Sequence, residues 1–288
     1  MAVSMCDSLR LFVAILAMGL MSAATAAAQP VDMTPLPDGL LAEAATGDIR
    51  EAWYVSPTTR YAHGVLGDAI EAGAIALKLE NGRTVTLRLD NSLVFEDITP
   101  RITDLDGDGR NEVIAIIASK RRGAALAVIR MEGEQPVIGS QTRHIGRANR
   151  WLNPAGIADF DGDGTQEIAL IRTPHIGGIL FFYREEDGEL RQLARFDGVS
   201  NHPINSRALD LSLVADIDQD GKPELIVPDQ RRINLIALRF DAEKGIQAVG
   251  EQRLSSPVVG NLQRAGSRII VPVNGARLTV PLTGFLPN

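Results

Sequence analysis

An all-β fold is what this sequence predicts, on three observations. An acidic nine-residue pattern recurs three times, at intervals of 55 and then 57 residues. Each recurrence is followed by the same succession of three short runs rich in β-branched, aromatic and aliphatic residues. Turn residues separate those runs, and few helix signals compete with them.

The pattern reads Asp104-Leu-Asp-Gly-Asp-Gly-Arg-Asn-Glu112, then Asp159-Phe-Asp-Gly-Asp-Gly-Thr-Gln-Glu167, then Asp216-Ile-Asp-Gln-Asp-Gly-Lys-Pro-Glu224. Acids stand at positions 1, 3, 5 and 9: Asp104, Asp106, Asp108 and Glu112; Asp159, Asp161, Asp163 and Glu167; Asp216, Asp218, Asp220 and Glu224. Four carboxylates on so short a loop repel one another. A hard cation relieves that, and Ca²⁺ accepts about six to eight oxygens in flexible geometry. The backbone carbonyl at position 7 (Arg110, Thr165, Lys222) is the expected further ligand, and glycine at position 6 allows the tight turn. An EF-hand is excluded, because its position-12 glutamate is replaced by Ala115, Leu170 and Val227 and a strand-like run follows in place of a helix. The competing reading is a metal-free polar turn, since Asp and Gly are also ordinary turn residues. The third copy departs from the others at Gln219.

From the N-terminus, residues 1–28 carry Arg10, an apolar run from Leu11 to Met21 and a small-residue end at Ala26-Ala27-Ala28. This predicts a secretory signal cleaved near Ala28, which places the protein in the periplasm or outside the cell. The single cysteine, Cys6, leaves with it, so stability must come from a core and bound metal rather than disulfides. The net charge of −7 argues against nucleic acid as a partner, and no membrane span is expected after cleavage.

Residues 29–47 are non-periodic and read as a lead-in that packs poorly. The domain proper is expected over 48–288. Its first strands are 49–55, 61–68 after a Ser56-Pro57 break, then 74–79 and 84–89 joined by a hairpin at Asn81-Gly82. Runs at 113–118, 124–131 and 136–142 follow the first loop. Runs at 168–172, 179–184 and 189–196 follow the second, and 225–228, 233–240 and 246–252 the third. An eroded fourth copy aligns Pro257–Pro272 with Leu213–Pro228, with Gly260, Leu262 and Arg264 at the aspartate positions. With the segment 61–95 this makes about five units. A period near 50 residues with several strands per unit predicts a β-propeller of about five blades. The run after each loop is continuously apolar, as expected of a strand covered on both faces.

The apolar-x-Asp lead (Ile102-Thr-Asp104, Ile157-Ala-Asp159, Val214-Ala-Asp216), the x-Asp-Gly-Asp-Gly-x-x-Glu loop and the aliphatic strand after it resemble the FG-GAP/VCBS repeat of integrin-alpha-like propellers. The resemblance spans roughly residues 60–275 and includes bacterial exported proteins of uncharacterised type. It implies a propeller fold with Ca²⁺ in the loops.

No catalytic constellation emerges. His63, His144, His175 and His202 lack metal-binding spacings, and neither a nucleophile elbow nor a phosphate loop occurs. Trp53 and Trp151 read as packing residues. Turns following the loop-borne strands carry Arg121 and Arg122, then His175, then Arg231 and Arg232. In a propeller such turns share a face, and these could receive an anionic group on a protein or carbohydrate ligand. The expected function is a calcium-stabilised binding or interaction module. The alternative is a propeller-scaffold polysaccharide lyase or hydrolase, since fold alone does not separate the two.

Overall fold

The computed structural model describes residues 30–286, so the signal-peptide reading of 1–28 and Cys6 lie outside the described residues. Among the described residues there are twenty β-strands, one short 3₁₀ turn (Leu282–Phe285) and no α-helix.

Nine strands form the first sheet. They are β1 (Ala42–Glu43), β2 (Ile49–Thr58), β3 (Glu71–Leu79), β4 (Thr84–Arg88), β5 (Leu93–Phe95), β6 (Arg101–Thr103), β7 (Glu112–Ser119), β8 (Gly123–Glu132) and β9 (Gln135–Gln141). Their order is β1-β2-β3-β5-β7-β8-β9, with β4 on β3 and β6 on β7. The second sheet runs β10 (Leu152–Ala158), β11 (Glu167–Arg172), β12 (Ile179–Glu186), β13 (Glu189–Asp197). The third runs β14 (Leu213–Ala215), β15 (Glu224–Pro228), β16 (Asn234–Asp241), β17 (Gly245–Arg253). Three strands make the last: β18 (Gln263–Ala265), β19 (Arg268–Val273) and β20 (Ala276–Pro281). All pairings are antiparallel.

The core lies between successive sheets. Ile168 and Leu170 of β11 join Val113, Ala115 and Ile117 of β7 in one cluster. Phe182 of β12 stacks on Phe240 of β16 with ring centroids 4.9 Å apart, and Phe160 meets Phe182 edge-on at 4.8 Å. Ile226 of β15 joins Ile269 and Val271 of β19. The three strands that follow the acidic loops, β7, β11 and β15, are therefore covered on both faces and buried almost throughout. That is why their sequences are continuously apolar. The last strands of the second and third sheets, β13 and β17, contain no buried residue.

Three expectations need correction. Residues 61–68 form no strand: Gly64 and Gly67 adopt φ of +66° and +106°, and the segment is a loop that buries Tyr61, Val65 and Leu66. The Ser56-Pro57 step does not end β2, because Ser56 takes φ +60° and pairing resumes at Pro57 opposite Ala72. The lead-in packs: Leu36 is 2 % exposed, and its amide donates to the Tyr54 carbonyl at 2.9 Å. In the eroded fourth copy Arg264 lies within β18, and a short turn through Gly266 replaces the nine-residue loop.

Candidate metal centre

Each acidic loop connects an edge strand to a buried one, β6 to β7, β10 to β11 and β14 to β15, and the three fold alike. The first aspartate receives the amides of positions 4 and 6. Asp104 accepts from Gly107 and Gly109 at 2.8 and 2.9 Å, Asp159 from Gly162 and Gly164 at 2.7 and 2.8 Å, and Asp216 from Gln219 and Gly221 at 2.7 and 3.0 Å. One oxygen of the position-3 aspartate accepts the position-5 amide, and one of the position-5 aspartate accepts the position-7 amide. The position-9 glutamate turns back, its Oε2 accepting the position-2 amide of Leu105, Phe160 or Ile217 at 3.0, 2.9 and 3.1 Å. These bonds wrap the loop around its own carboxylates and leave one oxygen each of positions 3, 5 and 9 for another partner.

Acidic oxygens gather closely enough to share one ion in all three loops. In the first the group is Asp104, Asp106 and Asp108; in the second Asp159, Asp161 and Glu167; in the third Asp216, Asp218 and Glu224. Such an oxygen-only set suits a hard divalent cation such as Ca²⁺. The remaining predicted ligands, Glu112, Asp163 and Asp220 with the carbonyl-bearing residues Arg110, Thr165 and Lys222, stand in the same loops without belonging to those tightest groups.

The loops differ in what faces their spare oxygens. Arg184 of β12 sits cross-strand from Glu167, since Ile168 pairs with Tyr183. Its guanidinium donates to Glu167 Oε1 from Nε at 2.7 Å, to Asp161 Oδ2 at 2.9 Å and to Asp163 Oδ2 at 2.8 Å. Arg239 of β16 holds the same register against Glu224, reaching Glu224 Oε1 at 2.7 Å and Asp218 Oδ2 at 2.6 Å. Burial pushes the carboxyls of Glu167 and Glu224 up, and the arginines oppose that rise. Arg130 of β8 is the third member by register, because Val113 pairs with Ile129, yet its guanidinium bonds to Glu185. The first loop is thus left without a guanidinium, and burial pushes Glu112 up to about 7. The first donor set fits a cation directly; in the second and third, a cation would have to displace or share with an arginine. These three arginines escaped the sequence reading, although an Arg recurs in each second strand after a loop.

The cationic turn residues do not form one demonstrated face. Arg121, Arg122 and Arg231 are exposed. His175 is half-buried and directs Nε2 to Nδ1 of His202 at 2.7 Å, with its ring parallel to that of Trp151 at 6.1 Å. Burial lowers the pKa of both histidines, with Arg232 adding to it, and that of His144, with Arg122 adding to it. Trp151 is buried, its indole N–H donating to the Glu96 carbonyl at 2.9 Å, which supports the packing role; Trp53 is partly exposed. A second polar centre, unseen in the sequence, links His63 Nδ1 to the fully buried Glu96 Oε1 at 2.5 Å. Burial lowers the histidine and raises the acid, which disfavours the charged form of each.

Comparison with known proteins follows this geometry. A family model described as FG-GAP-like repeat matches residues 104–170 and again 159–227, each match running from one acidic loop into the strand beyond the next. No curated protein sequence matches the chain. Among solved structures, the exotype rhamnogalacturonan lyase YesX is 16 % identical over 88 % of this chain and 58 % of that one, with a TM-score of 0.46. The Bacillus licheniformis rhamnogalacturonan lyase PL11 is 15 % identical over 91 % and 60 %, with a TM-score of 0.45. Saccharomyces cerevisiae Sqt1 is 13 % identical over 88 % and 61 %, with a TM-score of 0.52. The chain spans about three fifths of the length of these three, and at 13 % identity the likeness to Sqt1 concerns fold alone. Residues 104–227, with their three acidic loops, are thus similar to the FG-GAP-like repeat.

Proposed function

We propose that the protein is an exported, calcium-binding β-propeller of about five blades that serves as a binding or interaction module. The observation that carries this reading is the threefold recurrence of one loop geometry, in which backbone amides orient carboxylates and leave spare oxygens converging on a point. Sheets packed in chain order, with an edge strand entering each of the second and third and a strand without buried residues leaving it, support the propeller. The metal's role is structural: it joins the turn to the base of a buried strand, so that binding free energy becomes folding free energy. Export rests on residues 1–28.

Thermal unfolding in millimolar Ca²⁺ and in chelator, with direct counting of bound ions, tests the reading. The expected result is a higher midpoint in Ca²⁺ with one to three ions bound. An unchanged midpoint with no bound ion would make the loops metal-free turns and overturn it.

A further inference from the structure

A groove of about 540 Å³ lies between the segment that follows β9 and the second sheet, away from the acidic loops' carboxylates. Arg143 and His144 line one wall, and Arg172, Phe181 and Tyr183 the other. The Arg172 guanidinium lies over the Phe181 ring, 4.9 Å from its centroid. It is held by the ring rather than by an acid: among the described residues neither Arg172 nor Arg143 forms a salt bridge. Glu189 is the one acid in the lining, and Arg122 borders an adjoining hollow that shares Arg143 and His144. The groove therefore carries excess positive charge, with one guanidinium already oriented.

The neutral groups narrow the ligand. His144 Nδ1 stands 2.7 Å from the Gly123 carbonyl, which only accepts, so Nδ1 carries the proton and Nε2 is left as an acceptor. Burial lowers this histidine's pKa, which keeps the ring neutral. The Tyr183 hydroxyl makes no hydrogen bond among the described residues, and its ring lies 6.0 Å from that of Phe181 as a partly exposed flat surface. A ligand that satisfies this set needs a carboxylate for the arginines, a hydroxyl donor for His144, and an apolar C–H face for the tyrosine. Those three features coincide in a uronic acid ring.

We infer that this groove binds an acidic sugar, with a uronate carboxylate on Arg172 and Arg143 and the ring against Tyr183. The inference deepens the binding-module reading and rests on it. Calorimetry on the calcium-loaded full chain tests it with trigalacturonate, its methyl ester and 2-naphthoate. Trigalacturonate is expected to bind, and the ester to bind at least about tenfold more weakly, as loss of one charged hydrogen-bonded contact implies. Arg172→Gln and Arg143→Gln should each weaken trigalacturonate by a similar factor, and Tyr183→Phe by less. The exposed Arg143 and the Tyr183 hydroxyl can be altered without touching the core, so those variants should keep the parent's calcium-loaded unfolding midpoint. Absence of trigalacturonate binding, or binding unaffected by either arginine change, overturns the inference. So does equal binding of 2-naphthoate, which would make the groove a site for aromatic acids. Calcium-dependent unfolding with no sugar binding would overturn this inference alone, whereas sugar binding without any calcium effect would overturn only the metal reading.

Discussion

Arg184 Nε lies 2.7 Å from Glu167 Oε1, across the β11–β12 ladder, and the same guanidinium reaches two aspartates of the second loop. Glu167 is wholly buried, so its charge is compensated from within the sheet. Removing one partner of such a pair costs about 3–5 kcal/mol, because the other charge is left buried and alone. Arg184→Met should therefore lower the unfolding midpoint sharply in chelator. Millimolar Ca²⁺ should recover much of the loss, since the metal then supplies the only counter-charge. Paired melting curves with and without chelator check this; a variant as stable as the parent in chelator would show the arginine to be dispensable.

The first loop is expected to be the strongest calcium site. Arg130 occupies the register of Arg184 and Arg239 but bonds to Glu185, so Asp104, Asp106 and Asp108 face no guanidinium. A cation there displaces nothing. Asp106→Asn should reduce calcium affinity at the tightest site and shrink the calcium-induced rise in midpoint. Asp161→Asn and Asp218→Asn should change it less, because in those loops an arginine already offsets the charge. Calcium titration calorimetry on the three variants gives the ranking.

Gln219 replaces the glycine found at position 4 of the other two loops, and it takes φ +64° where Gly107 and Gly162 take +77° and +76°. A non-glycine residue in the left-handed region costs roughly 1–2 kcal/mol. Glycine gives back about 0.5–1 kcal/mol through its freer unfolded chain. Gln219→Gly should then raise stability by a net of about 0.5–1 kcal/mol, read by urea denaturation, while Gly107→Gln should lower it. A destabilised Gln219→Gly would mean that the glutamine side chain makes a compensating contact.

The repeats, the buried strands after the loops and the clustering of loop carboxylates were legible because each rests on neighbours in sequence. Val113–Ala118, Ile168–Ile171 and Leu225–Pro228 are apolar runs whose burial follows from composition alone. The arginines that enter the second and third loops were not legible, since their role depends on strand register, and Arg130 shows that the same register can lead elsewhere. His175 and His202 are 27 residues apart and meet only through tertiary packing. The stretch 61–68 misled for another reason: its strand-forming side chains are buried, but Gly64 and Gly67 bend the backbone out of the extended region.

That histidine pair should make the protein acid-sensitive. His202 Nε2 lies 2.8 Å from the Ser206 carbonyl, so it holds a proton there, and its Nδ1 must accept from Nε2 of His175. A proton added to His202 Nδ1 would set its N–H against that of His175 Nε2. Burial lowers both rings to about 4, with Arg232 adding to the effect on each and His63 to that on His175. The unfolded rings titrate near 6.5, so between that value and about 4 the unfolded chain binds more protons than the folded one. Stability is then complete above pH 6.5 and declines as pH falls through this window. For the fully buried His202 the loss is of order 3 kcal/mol. The buried Glu71 and Glu96, both raised, act in the opposite direction, so the difference between variant and parent isolates the histidines. His202→Gln should lower stability at pH 7, where a packed and hydrogen-bonded ring is lost, yet its deficit relative to the parent should shrink as pH falls from 6.5 to 5. Denaturant midpoints measured across that interval decide it: parallel slopes for variant and parent would mean that the pair takes up its protons without cost to the fold.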